Sequence, residues 1–207
     1  MKKYTYTQKT IAELENLANG LLAKYPKYIK GHEVQIEGIL EQLGITPLPR
    51  PGIKKSTGVD AFLPRIKGVM IIDEDYGTDL PYFRLTIAEE ISHLLLEPEL
   101  WAQGVPEGAN IYEIDKNIYD NIEGDAYRMA LALLMPRDQY VSRFQEHQAK
   151  ALKTYPQNHY NVRMEYCIDA LSNDFEVSFN GAASRGNQIG LFEGQIRKKE
   201  LPGSVVF

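Results

Sequence analysis

Arg84-Leu85-Thr86-Ile87-Ala88-Glu89-Glu90-Ile91-Ser92-His93-Leu94-Leu95-Leu96 decides how this chain of 207 residues is read. Ile87, Ala88, Ile91, Leu94 and Leu95 recur at helical spacing, which makes the segment a helix with one buried face. Asp79 stands where a cap is needed, Pro81 suits the first turn, and Pro98 marks the end. Residues four apart on a helix differ by about 40° in direction, so Glu89 and His93 share a face, with Glu90 beside them. That is the spatial logic of His-Glu-x-x-His: two ligands from one helical face and a glutamate close enough to activate metal-bound water. Here Glu89 stands in the first ligand position. Taken alone, Glu-Glu-x-x-His also suits a charged surface helix.

The neighbouring sequence turns this pattern toward chemistry. A second helix is expected from Asp115 to Leu134, with Ile118, Ile122, Ala126, Met129, Ala130 and Leu133 as its apolar stripe and Pro136 closing it. Ala126 and Ala130 are small enough for another helix to approach closely, which brings Glu123 within reach of Glu89 and His93. Gathering Glu89, Glu90 and Glu123 in one cleft is costly unless protons or a cation neutralise them. Asp125 is a reserve ligand whose direction on the helix fits Glu123's face less well.

The charge distribution suits either a solvated acidic face or a carboxylate cluster that holds a cation or repels anionic ligands. From Asp73 to Asp125 there are 14 acidic residues against two basic ones, Arg84 and Lys116, a balance of -12 inside a chain whose net charge is -5. Most of these acids, Asp73, Glu97 and Glu107 among them, read as a solvated face. Cys167 is the single cysteine, which excludes an intrachain disulfide and any multi-cysteine zinc site. With four histidines in all, a metal site here has to lean on carboxylates.

On either side the elements follow in a simple order. A helix is expected from Ile11 to Tyr25 and another from Glu33 to Leu43, stopped by Pro26 and Gly44. The proline-rich run from Ile45 to Gly52 suits an edge strand or loop. Val59 to Pro64 and Gly68 to Ile72 read as short strands. After the central pair, helices are expected at about Arg137 to Leu152 and Gln157 to Asn173, then short elements near Val177, Ala182 and Ile189 and a basic tail at Arg197-Lys198-Lys199. The chain thus reads as α+β: a mostly helical domain with a small β-sheet before the central motif helix. Residues 1–44 form an N-terminal helical extension, 45–136 the core, and 137–207 a C-terminal helical cap and tail.

The segment Arg84 to Leu96 resembles the central helix of the ImmA/IrrE-type metallopeptidases, which typically read Arg-Phe-Thr-Leu-Ala-His-Glu-Leu-Gly-His there. The family's second motif, Glu-x-x-Ala followed by Phe-Ala and Leu-Leu-Met-Pro, is matched by Glu123-Gly124-Asp125-Ala126, Met129-Ala130 and Leu133-Leu134-Met135-Pro136. The extended Gly68 to Ile72 and a late Leu171 to Ser178 with Ala182-Ala183 also fit, so the likeness spans roughly Leu43 to Leu191.

The resemblance implies a zincin-like fold and, in active members, a zinc peptidase that cleaves helix-turn-helix repressors. By position, His93 matches the second histidine ligand, Glu123 the downstream glutamate ligand and Glu90 the general base. Glu89 takes the place of the first histidine. Two carboxylates with one imidazole make a harder, more anionic site than His-His-Glu, and more charge donated to zinc weakens its Lewis acidity. Three outcomes follow: a peptidase with an altered site, a metal-binding pseudoenzyme, or a metal-free relative. The expected cofactor is Zn2+ or another divalent metal, and the expected partner is a protein substrate or regulator such as a helix-turn-helix repressor. The alternative function is a catalytically inactive regulatory protein-binding module of the same fold.

The remaining features carry less. His32-Glu33 reads as a helix N-terminus, and His147 and His159 as surface residues. Tyr112, Tyr119 and Tyr127 are placed to supply an oxyanion donor or, more simply, to pack. Cys167 lies on an apolar stripe, as a buried and inert thiol does. Val177-Ser178 with Ala182-Ala183 resembles half of a helix-turn-helix, but Arg185 is its one basic residue, which argues against direct nucleic-acid binding. No apolar run approaches the ~20 residues that a bilayer requires, and no apolar stretch follows Met1-Lys2-Lys3. A bacterial or phage-type protein of the cytoplasm, without membrane attachment, is the expectation.

Overall fold

The computed structural model describes residues 6–64, 68–75, 79–96, 115–156 and 160–192. Expectations for Tyr112, Glu97, Glu107, the Pro98 helix end, His159 and the Arg197-Lys198-Lys199 tail lie outside the described residues.

The first helix, α1 (Ile11–Leu22), is opened by a capping box in which Thr10 accepts from the Glu13 amide and the Glu13 carboxylate takes the Thr10 amide. It ends earlier than Tyr25 because a 3-10 turn, Pro26–Tyr28, follows. A two-stranded hairpin comes next, β1 (Ile29–Lys30) with β2 (Glu33–Val34). Glu33 is therefore in a strand, and α2 (Ile36–Gln42) starts three residues later than the sequence suggests. The hairpin forms because Gly31 adopts a φ of 63°, which lets the chain reverse before His32.

Three strands make the second sheet: β3 (Thr46–Arg50), β4 (Ala61–Phe62) and β5 (Val69–Asp73), in the order β3-β5-β4. β3 runs parallel to β5 with Thr46 opposite Val69, and β4 runs antiparallel with Ala61 opposite Ile72. Pro47 and Pro49 are tolerated because β3 lies at an edge, as its composition predicts. A short helix absent from the sequence reading, α3 (Ile53–Thr57), connects β3 to β4 between two glycines in the left-handed region. It is fixed by Asp73, whose carboxylate accepts the Lys54 amide at 2.7 Å. Asp73 is 3% exposed, so it belongs to the scaffold and not to the solvated acidic face.

The central helix α4 (Leu80–Leu96) packs most extensively on α5 (Lys116–Leu134), and α1 lies against α5 as well. Asp115 caps α5, Pro136 separates it from α6 (Arg137–Thr154), and α7 (Tyr160–Phe175) pairs with α6. The last helix is α8 (Phe179–Gln188), whose N-cap Ser178 accepts the Gly181 amide at 3.0 Å. It replaces the short elements expected there. One core connects Leu14 of α1, Met70 of β5, Ile87 and Ile91 of α4, Met129 to Met135, and Phe175, Ala182 and Phe192. The fold is α+β, mostly helical and zincin-like, with the small sheet ahead of the motif helix. Among the described residues no helix is long and apolar enough to cross a membrane.

Candidate metal centre

Glu89, Glu90 and His93 all lie on α4, and the burial of that helix sets their environment. Ile87, Ala88 and Ile91 have no exposed surface, and Ser92 is turned inward with its hydroxyl donating to the Ala88 carbonyl at 2.7 Å. Glu90 is consequently buried, Glu89 half-buried, and the His93 side chain 15% exposed. Glu123 approaches from α5, which packs on α4 and in which Ala126, Met129 and Ala130 are buried. Its Oε1 stands 3.8 Å from His93 Nε2, while 47% of its side chain remains open to solvent.

Burial, which disfavours the charged form, lifts the Glu89 and Glu90 carboxyls from 4.5 to about 7. His93 pulls both back toward ionisation and Glu123 pushes both up, with Asp60 adding to the push on Glu89. The Leu63 amide, just past β4, lowers Glu90 in part by hydrogen bonding to it. Glu89, Glu90 and Glu123 are thus near enough to His93 to influence one another's ionisation. The sequence reading missed Asp60 and Leu63, which flank the edge strand β4 and carry no motif to flag them. Asp60 is itself held by the Tyr82 hydroxyl at 2.6 Å and by Lys54 Nζ at 3.0 Å.

Other candidates settle differently. Asp125 is fully buried and occupied, accepting from the Tyr6 hydroxyl at 2.8 Å, the Lys9 amide at 2.7 Å and Arg128 Nη2 at 2.7 Å. It braces the N-terminal segment and has no part in the centre. Tyr119, one turn before Glu123, is pushed up to about 12 by burial and by the adjacent Glu123 carboxylate. Tyr127 packs against the core. His147 is buried, not on the surface, with Nε2 2.6 Å from Asp174 Oδ2. Arg185 is also fully buried, paired with Glu15 at 2.7 Å and donating to the Met135 carbonyl, so the one base of the α7–α8 turn is withdrawn from any surface.

The chain matches the peptidase M78 family model, described as the IrrE N-terminal-like domain, over residues 40–186. The chain belongs to this family. No curated protein matches it. Within the IrrE N-terminal-like domain, the matched span begins in α2 and closes in α8, so it takes in the whole sheet, the α4–α5 pair and the C-terminal helices.

The donor chemistry of the centre fits a divalent cation. One imidazole and carboxylates on facing helices, two of them held near neutrality by burial, gain from a positive charge between them. The side chains are not drawn to one point: among the described residues no group of three or more His, Cys, Asp or Glu is placed to hold an ion. Binding therefore requires Glu123, the most exposed of the three, or its partners to close inward.

Proposed function

We propose that this member of the IrrE N-terminal-like family is a divalent-metal-dependent endopeptidase with an altered ligand set. Glu89, His93 and Glu123 would hold Zn2+ or another divalent cation. The observation that carries this reading is the His93–Glu123 pair at 3.8 Å, set against two carboxyls on α4 that burial holds near neutrality.

When bound, the cation would supply Lewis acidity to a water and to the carbonyl under attack. Glu90 would serve as general base, accepting a proton from the attacking water and returning it to the leaving nitrogen. Its position beside His93 and its raised carboxyl value suit proton exchange near neutral pH. The Leu63 amide on Glu90 orients the carboxylate from the sheet edge. The substrate class is a protein, such as a helix-turn-helix repressor, met in the cytoplasm.

The test is cleavage of a candidate repressor by the wild type and by Glu90→Gln. The reading expects cleavage that falls by about 10²–10⁴-fold in the variant, with the metal content unchanged. Equal cleavage by Glu90→Gln would show that the base is misassigned.

A second reading is supported by Glu89 in the first ligand position and by the unclosed ligand set. In it the fold is a regulatory module that binds a protein partner without cutting it. Complex formation with a repressor that stays intact over prolonged incubation with Zn2+ or Mn2+ would favour this reading.

A further inference from the structure

Among the described residues Glu176 is the one non-glycine residue with a positive φ, at 51°. It directly follows α7, where a left-handed residue ends a helix and glycine or asparagine is the usual choice. A side chain there costs about 1 kcal/mol or more in backbone strain. The strain has a visible counterpart. Glu176 Oε2 accepts from Arg84 Nη1 at 2.7 Å.

Arg84 is on α4, five residues before Glu89, and is 1% exposed. The same guanidinium donates to Glu33 Oε1 at 3.2 Å and to the Val34 carbonyl at 2.7 Å, with Glu37 at 4.0 Å. One buried cation therefore fastens α4 to the hairpin, to the start of α2 and to the end of α7. The α7 end is fixed from its other side by Asp174, which accepts from Arg143 Nε at 2.8 Å and meets His147 at 2.6 Å. Glu176 thus stands between two anchored bodies. A guanidinium buried at this depth cannot move without breaking charge-assisted bonds, so its partners set where α4 sits.

We propose that Glu176 is a positioning residue of the candidate metal centre, acting through Arg84 to fix α4 and so the placement of His93 and Glu89 against Glu123. The inference rests on the metal-centre reading for its metal arm, but its geometric arm stands apart from it. The left-handed backbone aims the carboxylate at Arg84, and a relaxed residue without that carboxylate would free the end of α7 from the motif helix.

Glu176→Gly and Glu176→Asn both suit the left-handed backbone and neither reaches Arg84, whereas Glu176→Gln keeps an acceptor of the same length. Three quantities are to be measured on the full chain: thermal stability, the NMR resonances of the His93 ring in metal-free protein, and Co2+ affinity with its visible spectrum. The expected result is a folded Glu176→Gly or Glu176→Asn protein with shifted His93 resonances and Co2+ affinity about tenfold weaker. Glu176→Gln should restore most of both. His93 resonances identical to wild type in the Gly or Asn variant would overturn the proposal, whatever the stability. A wild type that binds no Co2+ would overturn the metal-centre reading alone, and the His93 resonances would still decide the role of Glu176. Should the Gly variant fail to fold, the Asn variant carries the comparison; failure of both, with Gln also unable to restore the fold, would overturn the specific role in positioning.

Discussion

His93 Nε2 on α4 and Glu123 Oε1 on α5 stand 3.8 Å apart, closer than two unrelated polar groups on packed helices need to be and too far for a hydrogen bond. The pair joins two sequence segments 30 residues apart and sits beside Glu89 and Glu90. Most of what the molecule is expected to do follows from whether a cation closes this gap.

In metal-free protein, Glu89 and Glu90 hold protons more tightly than in the unfolded chain, at about 7 against 4.5. Their contribution to stability is fully present below pH 4.5 and is lost as pH rises toward 7, because the unfolded chain releases these protons first. The loss is expected to be about 3 kcal/mol per carboxyl at most. Urea titrations between pH 4.5 and 7.5 should show it, and saturating Zn2+ or Mn2+ should abolish it. A flat profile without metal would mean that the two carboxyls are solvated.

Glu89→His restores the first histidine of the family motif. It replaces a hard anionic donor with an imidazole and removes one of the carboxylates that repel each other in the centre. Zinc affinity is expected to rise by about tenfold or more, as measured by competition with a chelator. A fall in affinity would show that Glu89 is the better ligand in this geometry.

Glu15 and Arg185 form a buried ion pair at 2.7 Å that joins α1 to α8. Glu15→Ala would leave the guanidinium, among the described residues, with the Met135 carbonyl as its partner. A destabilisation of about 3–5 kcal/mol is expected in denaturant titrations, since removing one member of a buried pair leaves the other charge uncompensated. A change below about 1 kcal/mol would indicate that water reaches Arg185.

Cys167 is fully buried in α7, and burial pushes its thiol up to about 11. Reaction with a thiol reagent at neutral pH should therefore be slow in the native protein and fast once it is unfolded. Rapid labelling of the native state would require α7 to open locally.

The central helix and its partner were legible in the sequence because each carries a long apolar stripe bounded by caps and prolines, from Asp79 onward and between Asp115 and Pro136. Glu123 was found for the same reason: its helix face is defined by Ala126 and Ala130. The short elements were not legible, since a two-residue strand such as Glu33–Val34 or a helix as short as Ile53–Thr57 has too few residues to show a period. Polar residues that bury themselves through distant partners were also hidden. His147 looks solvated until Asp174 arrives from α7 to meet it, and Asp73 until the Lys54 amide turns back onto it. Asp125 shows the limit most clearly: the N-terminal Tyr6 and Lys9, more than a hundred residues away, join Arg128 to turn it from a spare ligand into a brace.

The most direct measurement is the metal content of the protein after reconstitution with Zn2+ or Mn2+ and removal of the excess, in wild type and in Glu123→Gln. About one equivalent of divalent metal is expected in the wild type and a large loss in the variant, because Glu123 is the ligand proposed from α5. A wild type that holds no metal, or a Glu123→Gln protein that holds as much, would contradict the proposal.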